Sequence, residues 1–178
     1  MNKVIMMIMV VVVCITQWSF AANKDLYSSG QIVEGETWDN VNVYNDGTIV
    51  DMTGGQIGNL NVYNYQNVFN LLGGDISGTL IDIVGPGIFN VSSGNIDTFQ
   101  LVIESGGMHL PSAKANLSGG VINATHLKTY YDSTVNISGG TLTFNDIDIK
   151  GTLNIYGGQL NVNSYFNMAY DSVINIYG

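Results

Sequence analysis

A glycine pair that returns about every twenty residues constrains this chain more than any other feature. The copies are Gly54-Gly55, Gly73-Gly74, Gly119-Gly120, Gly139-Gly140 and Gly157-Gly158; Ser93-Gly94 stands in once and Gly178 opens a last copy, giving spacings of 19, 20, 26, 20, 18 and 21 residues. Three residues before each pair stand Asp51, Asn70, Asn90, Asn116, Asn136, Asn154 and Asn175. Each is flanked by apolar side chains, as in Val135-Asn136-Ile137 and Leu153-Asn154-Ile155. That alternation is the period of a strand. An aliphatic residue returns three positions after the first glycine, at Ile57, Ile76, Ile96, Ile122, Leu142 and Leu160, where a second strand starts.

Short strands and glycine turns repeated at this period predict a solenoid, because one unit cannot bury a hydrophobic face alone and stacking creates the core. Matching strands of successive coils pair in parallel about 4.8 Å apart, which places equivalent residues directly above one another. The six asparagines Asn70, Asn90, Asn116, Asn136, Asn154 and Asn175 then form a ladder in which each amide donates to the next. Strict alternation aims them outward, whereas a bend at the glycine pair turns them inward; the pattern alone allows both. The glycines suit a sharp corner with φ > 0.

The copies Asn-Ile-Ser-Gly-Gly-Thr-Leu and Asn-Ile-Tyr-Gly-Gly-Gln-Leu resemble coils of right-handed parallel β-helices of the pectin-lyase-like superfamily. They are most similar in style to repeats of exported bacterial surface proteins, such as autotransporter-type adhesin passengers and planctomycete repeat proteins. The resemblance spans residues 41–178. It implies an all-β, single-domain right-handed β-helix of about seven coils, with handedness following the general rule for parallel crossovers. Six intervals at 4.8 Å make a rod ~29 Å long. A left-handed hexapeptide helix needs an aliphatic residue every sixth position, which the variable spacing breaks; calcium-binding nonapeptide rolls fail on period too.

Residues 1–21 read as a secretory signal peptide: Lys3, an apolar run from Val4 to Ile15, and a Ser19-Phe20-Ala21 cleavage site. Twelve uninterrupted apolar residues are too few to span a membrane comfortably. The single cysteine, Cys14, lies in this segment, so the mature chain has no disulfide. All 14 acids follow the cleavage site and four lysines remain, for a net charge of 4 − 14 = −10, with no arginine. Such a surface repels phosphate backbones and argues against nucleic acid and anionic membranes as partners. Residues 22–40 lack the repeat and are expected to form an N-terminal cap over an open sheet edge; residues 41–178 carry the repeats. The 26-residue spacing holds about six extra residues, placed between Glu104 and Ser112 in an extruded loop that carries Glu104 and His109. The chain stops within a repeat copy, which predicts either that it continues beyond Gly178 or that its last coil stacks end to end on another molecule.

No residue pattern assigns catalysis, a metal or a cofactor. Asp82 and Asp148 share an offset of nine from the glycine pair but lie three coils, ~14 Å, apart. Asp132 and Asp171 are two coils apart. Asp146 and Asp148 face one way in a strand, as a solvated pair or a weak calcium site. His109 and His126 have no Cys or His at ligand spacing. The superfamily resemblance implies lyases that depend on clustered acids and often arginine, which this chain lacks. Sequons at Asn90, Asn116, Asn123 and Asn136 follow from the repeat itself. Tyrosines carry the one stacking logic at the surface: Tyr44 with Tyr63, and Tyr156 with Tyr177, share offsets in adjacent coils. They serve either as an aromatic ladder stiffening the sheet or as a platform for sugar rings. Tyr44, Tyr63, Tyr156, Tyr177, Glu104 and His109 are therefore the candidate ligand contacts. The functional expectation is an exported, non-catalytic structural or adhesive cell-surface module, partnered by polysaccharide or another surface protein. The alternative is a secreted polysaccharide-binding or polysaccharide-degrading protein.

Overall fold

The computed structural model describes residues 22–63, 66–106 and 112–177. Its elements are β1 (Asn23–Leu26), β2 (Gly30–Ile32), β3 (Thr37–Val43), β4 (Ile49–Met52), β5 (Gln56–Val62), β6 (Val68–Leu71), β7 (Asp75–Val84), β8 (Ile88–Val91), β9 (Asn95–Glu104), β10 (Lys114–Leu117), β11 (Val121–Thr129), β12 (Thr134–Ile137), β13 (Thr141–Ile149), β14 (Thr152–Ile155), β15 (Gln159–Met168) and β16 (Val173–Ile176). Odd-numbered strands pair in order into one eight-stranded sheet and even-numbered strands into a second. Every pairing is parallel. The chain is thus an all-β parallel solenoid of about seven turns, with about twenty residues per turn and no helix among the described residues. Pairing begins at β1 and β2, so residues 23–32 already belong to the stack, ahead of the first glycine pair.

Each short strand is the apolar-Asn-apolar motif. In β12, Val135 and Ile137 are fully buried while Thr134 and Asn136, which alternate with them, are half-exposed, so the asparagines point outward. Ordinary alternation wins because the turn at the glycine pair begins only after the strand has ended. The long strands break alternation once. Ile122 and Ala124 face the core, and the next inward residues are Leu127 and Thr129; the same three-residue step runs from Ile57 to Leu60 and from Phe144 to Ile147. One extra residue on the outer face bends the strand, as a bulge does, and register shifts appear there between β5 and β7 and between β13 and β15. Each coil therefore has three sides: the short strand and the two limbs of the long one.

The two positions of a glycine pair are constrained differently, the second by its φ as well as by close approach of the coil below. Gly140 has φ 82°, in the left-handed region that costs an L-residue roughly 1–2 kcal/mol. Gly139 has room for no side chain, because a Cβ there would sit 2.3 Å from the carbonyl oxygen of Ser118 in the coil below. Ser93 takes the first position in one coil and donates its hydroxyl to Leu72 O at 2.8 Å.

The interior is one column of stacked side chains from Ile32 to Leu153, with Phe69, Phe89 and Phe144 as its largest members. At the far end Leu160, Val162 and Ile174 are only partly covered, and Tyr165, Phe166, Met168 and Ile176 are exposed. Nine residues (105–113) join β9 to β10, against two (150–151) between β13 and β14, so the expected extra residues do fall in that connection.

Candidate functional site

Because register is kept from coil to coil, the outer surface is ruled into columns, and any site must be built from residues that share one. On the short strands the column is the asparagine ladder. Asn70 donates to Asp51 Oδ1 at 2.7 Å, and Asn90, Asn116, Asn136, Asn154 and Asn175 each donate to the preceding rung at 2.8 Å. Two further ladders run up the outer limb of the first long strands: Asn59 to Asn40 to Asn23, and Asn61 to Asn42 to Asp25, at 2.7–2.8 Å. Their signal is legible in the sequence, since Asn40-Val-Asn42-Val-Tyr44 recurs as Asn59-Leu-Asn61-Val-Tyr63.

The tyrosines come together as their shared offsets require. Tyr44 stacks on Tyr63 with centroids 5.4 Å apart, and Tyr27 extends the stack with centroids 5.1 Å from Tyr44. Tyr27 lies in the segment expected to be a cap, where the repeat offset gave no means of finding it. Burial raises the affinity of the Tyr44 and Tyr63 hydroxyls for their protons, with Asp25 adding to the effect at Tyr44 and Asp82 at Tyr63. The phenols are thus neutral hydrogen-bonding groups. Tyr156 and Tyr177 stack at 4.6 Å beside β14 and β16, on the other sheet and at the other end of the rod. The two tyrosine groups are therefore separate surfaces. Glu104 ends β9, and its carbonyl accepts the Gly85 amide at 3.0 Å. His109 lies outside the described residues.

A second cluster was not expected from the sequence. His126 Nδ1 lies 3.0 Å from Asp146 Oδ2, its registered neighbour in the next coil. Phe99, 49% exposed, meets the imidazole edge-on with centroids 5.0 Å apart. Beside them a shallow polar groove of about 190 Å³ follows the bend of the long strands, lined by Asp97, Thr98, Asn123, Thr125, Thr143 and Asn145. The signal that could have located the dyad is offset: His126 and Asp146 each stand seven residues after a first glycine, in consecutive coils. Asp148, in the adjoining column, accepts from Asn167 at 2.9 Å, and its registered neighbour in the preceding coil is Lys128. The Asp146-Asp148 pair is thus divided between two partners, and no group of three or more acids, histidines or cysteines could hold a metal among the described residues. A carboxylate-oriented imidazole is half of a proton-transfer device. What the cluster offers a ligand is an aromatic face, an imidazole and a polar trough.

At the first coil Lys24 bonds Glu36 at 2.7 Å and lies 4.7 Å from the centroid of Trp38, and the lysine, with help from the Val33 amide, holds the Glu36 carboxyl below the usual range. Compared with known proteins, the chain matches no family model, no curated protein and no solved structure.

Proposed function

We propose that this chain is an exported, non-catalytic structural or adhesive module of a cell surface. The observation that carries the reading is the unbroken ladder from Asp51 to Asn175. Each coil commits its central outward polar residue on the short strand to holding the next coil, an investment in stiffness along the rod axis. The signal-like residues 1–21 and the absence of arginine agree with an acidic exported protein.

A second reading is polysaccharide binding, and the groove beside Phe99 and His126 favours it: an exposed ring packs on the apolar face of a sugar while the trough meets its hydroxyls. One set of experiments separates the two. The producing cells are fractionated, the N-terminus of the exported form is sequenced, and adhesion is measured with beads coated in the purified protein. Beads that adhere, from a protein starting near Ala22 in the surface fraction, support the proposal; retention inside the cell, or release of oligosaccharide from polysaccharide, overturns it. Binding on a glycan array that Phe99→Ala abolishes, with fold retained, would favour the second reading.

A further inference from the structure

The asparagine columns obey one rule of polarity, which the His126–Asp146 pair does not share. Each rung gives an N–H to the coil before it and an oxygen to the coil after it. A side chain with no hydrogen to give can therefore stand only at the start of a run. Asp25, Asp51, Asp75 and Asp148 stand there, each accepting from an asparagine of the next coil at 2.7–2.9 Å.

Asp82 breaks the rule. It follows Asn61 in register, where a donor is needed. Asn61 has given its amide hydrogen to Asn42 at 2.8 Å, and among the described residues nothing donates to its oxygen. Its neighbour Asn59, by contrast, receives the Thr79 and Leu80 amides at 2.8 and 3.0 Å and the Thr79 hydroxyl at 3.1 Å. Asp82 Oδ1 is buried without a partner. In the coil above, the rung is Val102, 7% exposed and unable to donate.

We infer that Asp82 is a proton-held rung. With a proton taken up from water, its hydroxyl donates to Asn61 Oδ1 and continues the column; ionised, it sets acceptor against acceptor and breaks the column between β5 and β7. The groups facing it are Asn61 on β5, Tyr63 just after that strand, and Val102 and Glu104 on β9, with Lys128 on β11 beyond the Val102 rung at ~10 Å. None of these offers an adjacent cation. Burial, and secondarily the Glu104 charge, push the Asp82 carboxyl up from 3.8 to about 6. The folded chain then holds this proton more tightly than the unfolded chain does. The contribution is complete below about pH 4 and is lost as pH rises through about 6, the reverse of an ion-paired aspartate. The effect is local to β5, β7 and β9, at the base of the connection 105–113.

The experiment is a carboxyl ¹³C titration of the whole chain, paired with amide hydrogen exchange at pH 5 and pH 7.5, corrected for intrinsic rates. The expected midpoint for Asp82 is near 6, with protection of β5 and β7 amides falling severalfold between the two pH values; about tenfold is the ceiling, because pH 5 lies only one unit below the midpoint, and partial solvation of the group lowers it further. Asp82→Asn, which donates at every pH, removes that fall. A midpoint near 4, or an unchanged pH dependence in Asp82→Asn, overturns the inference. Should the variant not fold, the wild-type titration decides alone.

Discussion

Replacing Asn136 by alanine tests whether the ladder holds the coils together or merely lies on them. Asn136 is an interior rung that donates to Asn116 and accepts from Asn154, both at 2.8 Å. A typical intramolecular hydrogen bond contributes about 1 kcal/mol net, so Asn136→Ala should cost about 2 kcal/mol; the neighbouring amides are half-exposed, and water softens the penalty of leaving them unpaired. Asn175 makes one bond among the described residues, and Asn175→Ala should cost about 1 kcal/mol. At this chain length the interior loss corresponds to a Tm lowered by about 4–8 °C. Polarity sharpens the test. Asp51→Asn keeps the acceptor that Asn70 needs and should change stability by less than about 0.5 kcal/mol. Asn136→Asp keeps an acceptor for Asn154 but aims a carboxylate at Asn116 Oδ1; it should be worse than alanine at pH 7 and recover on acidification as the proton returns the donor. Equilibrium urea unfolding of the four variants, read as midpoints at constant slope, gives the answer. Equal losses for Asn136→Ala and Asn175→Ala, or Asn136→Asp indistinguishable from Asp51→Asn at pH 7, would refute the reasoning.

Other outcomes follow from the same geometry. Ile137 is fully buried, and Ile137→Ala should cost about 2–5 kcal/mol, seen as a lower urea midpoint; a cost below about 1 kcal/mol would mean the core column is not packed as described. Gly140→Ala adds to about 1–2 kcal/mol of backbone strain a new carbon 2.9 Å from the Gly119 and Gly120 carbonyl oxygens, and Gly139→Ala puts its new carbon 2.3 Å from the Ser118 carbonyl oxygen, so each should lose more than about 1 kcal/mol as the coils part. A smaller loss for either in thermal melts would argue against close coil contact at the corner. His126→Ala removes the Asp146 contact and the edge-on packing of Phe99 near the surface, and should cost no more than about 1 kcal/mol; a loss above 2 kcal/mol would make the cluster a structural staple instead of a recognition surface.

Much of this architecture was legible from spacing alone. The glycine period announces a solenoid, the apolar-Asn-apolar triplet gives the short strands, and shared offsets pair Tyr44 with Tyr63 and Tyr156 with Tyr177. Offsets fail where a segment lacks the landmark: Tyr27, Asn23 and Asp25 lie ahead of the first glycine pair, and only the likeness of Asn23-Lys-Asp25-Leu-Tyr27 to Asn40-Val-Asn42-Val-Tyr44 ties them to the columns they begin. Where unlike residues share a column the offset holds but likeness does not: His126 and Asp146 each stand seven residues after a first glycine, yet do not look like copies of one repeat position.

The sequence by itself determined that this protein stacks, what period it stacks with and which residues line its core, because a repeat that cannot bury its own apolar face has few other solutions. Tertiary structure decided what each outward residue does. The asparagines face out because strand alternation persists up to the glycine turn, and the long strands carry two limbs because a bend shifts the inward set by one residue. The surroundings of an aspartate depend on the coil below and the coil above, which lie some twenty residues away in the chain. Asp51 begins a ladder and Asp82 interrupts one, though each is only an acid between aliphatic neighbours in the sequence. Parallel register supplies the difference, since it fixes which lone pair or hydrogen every side chain meets.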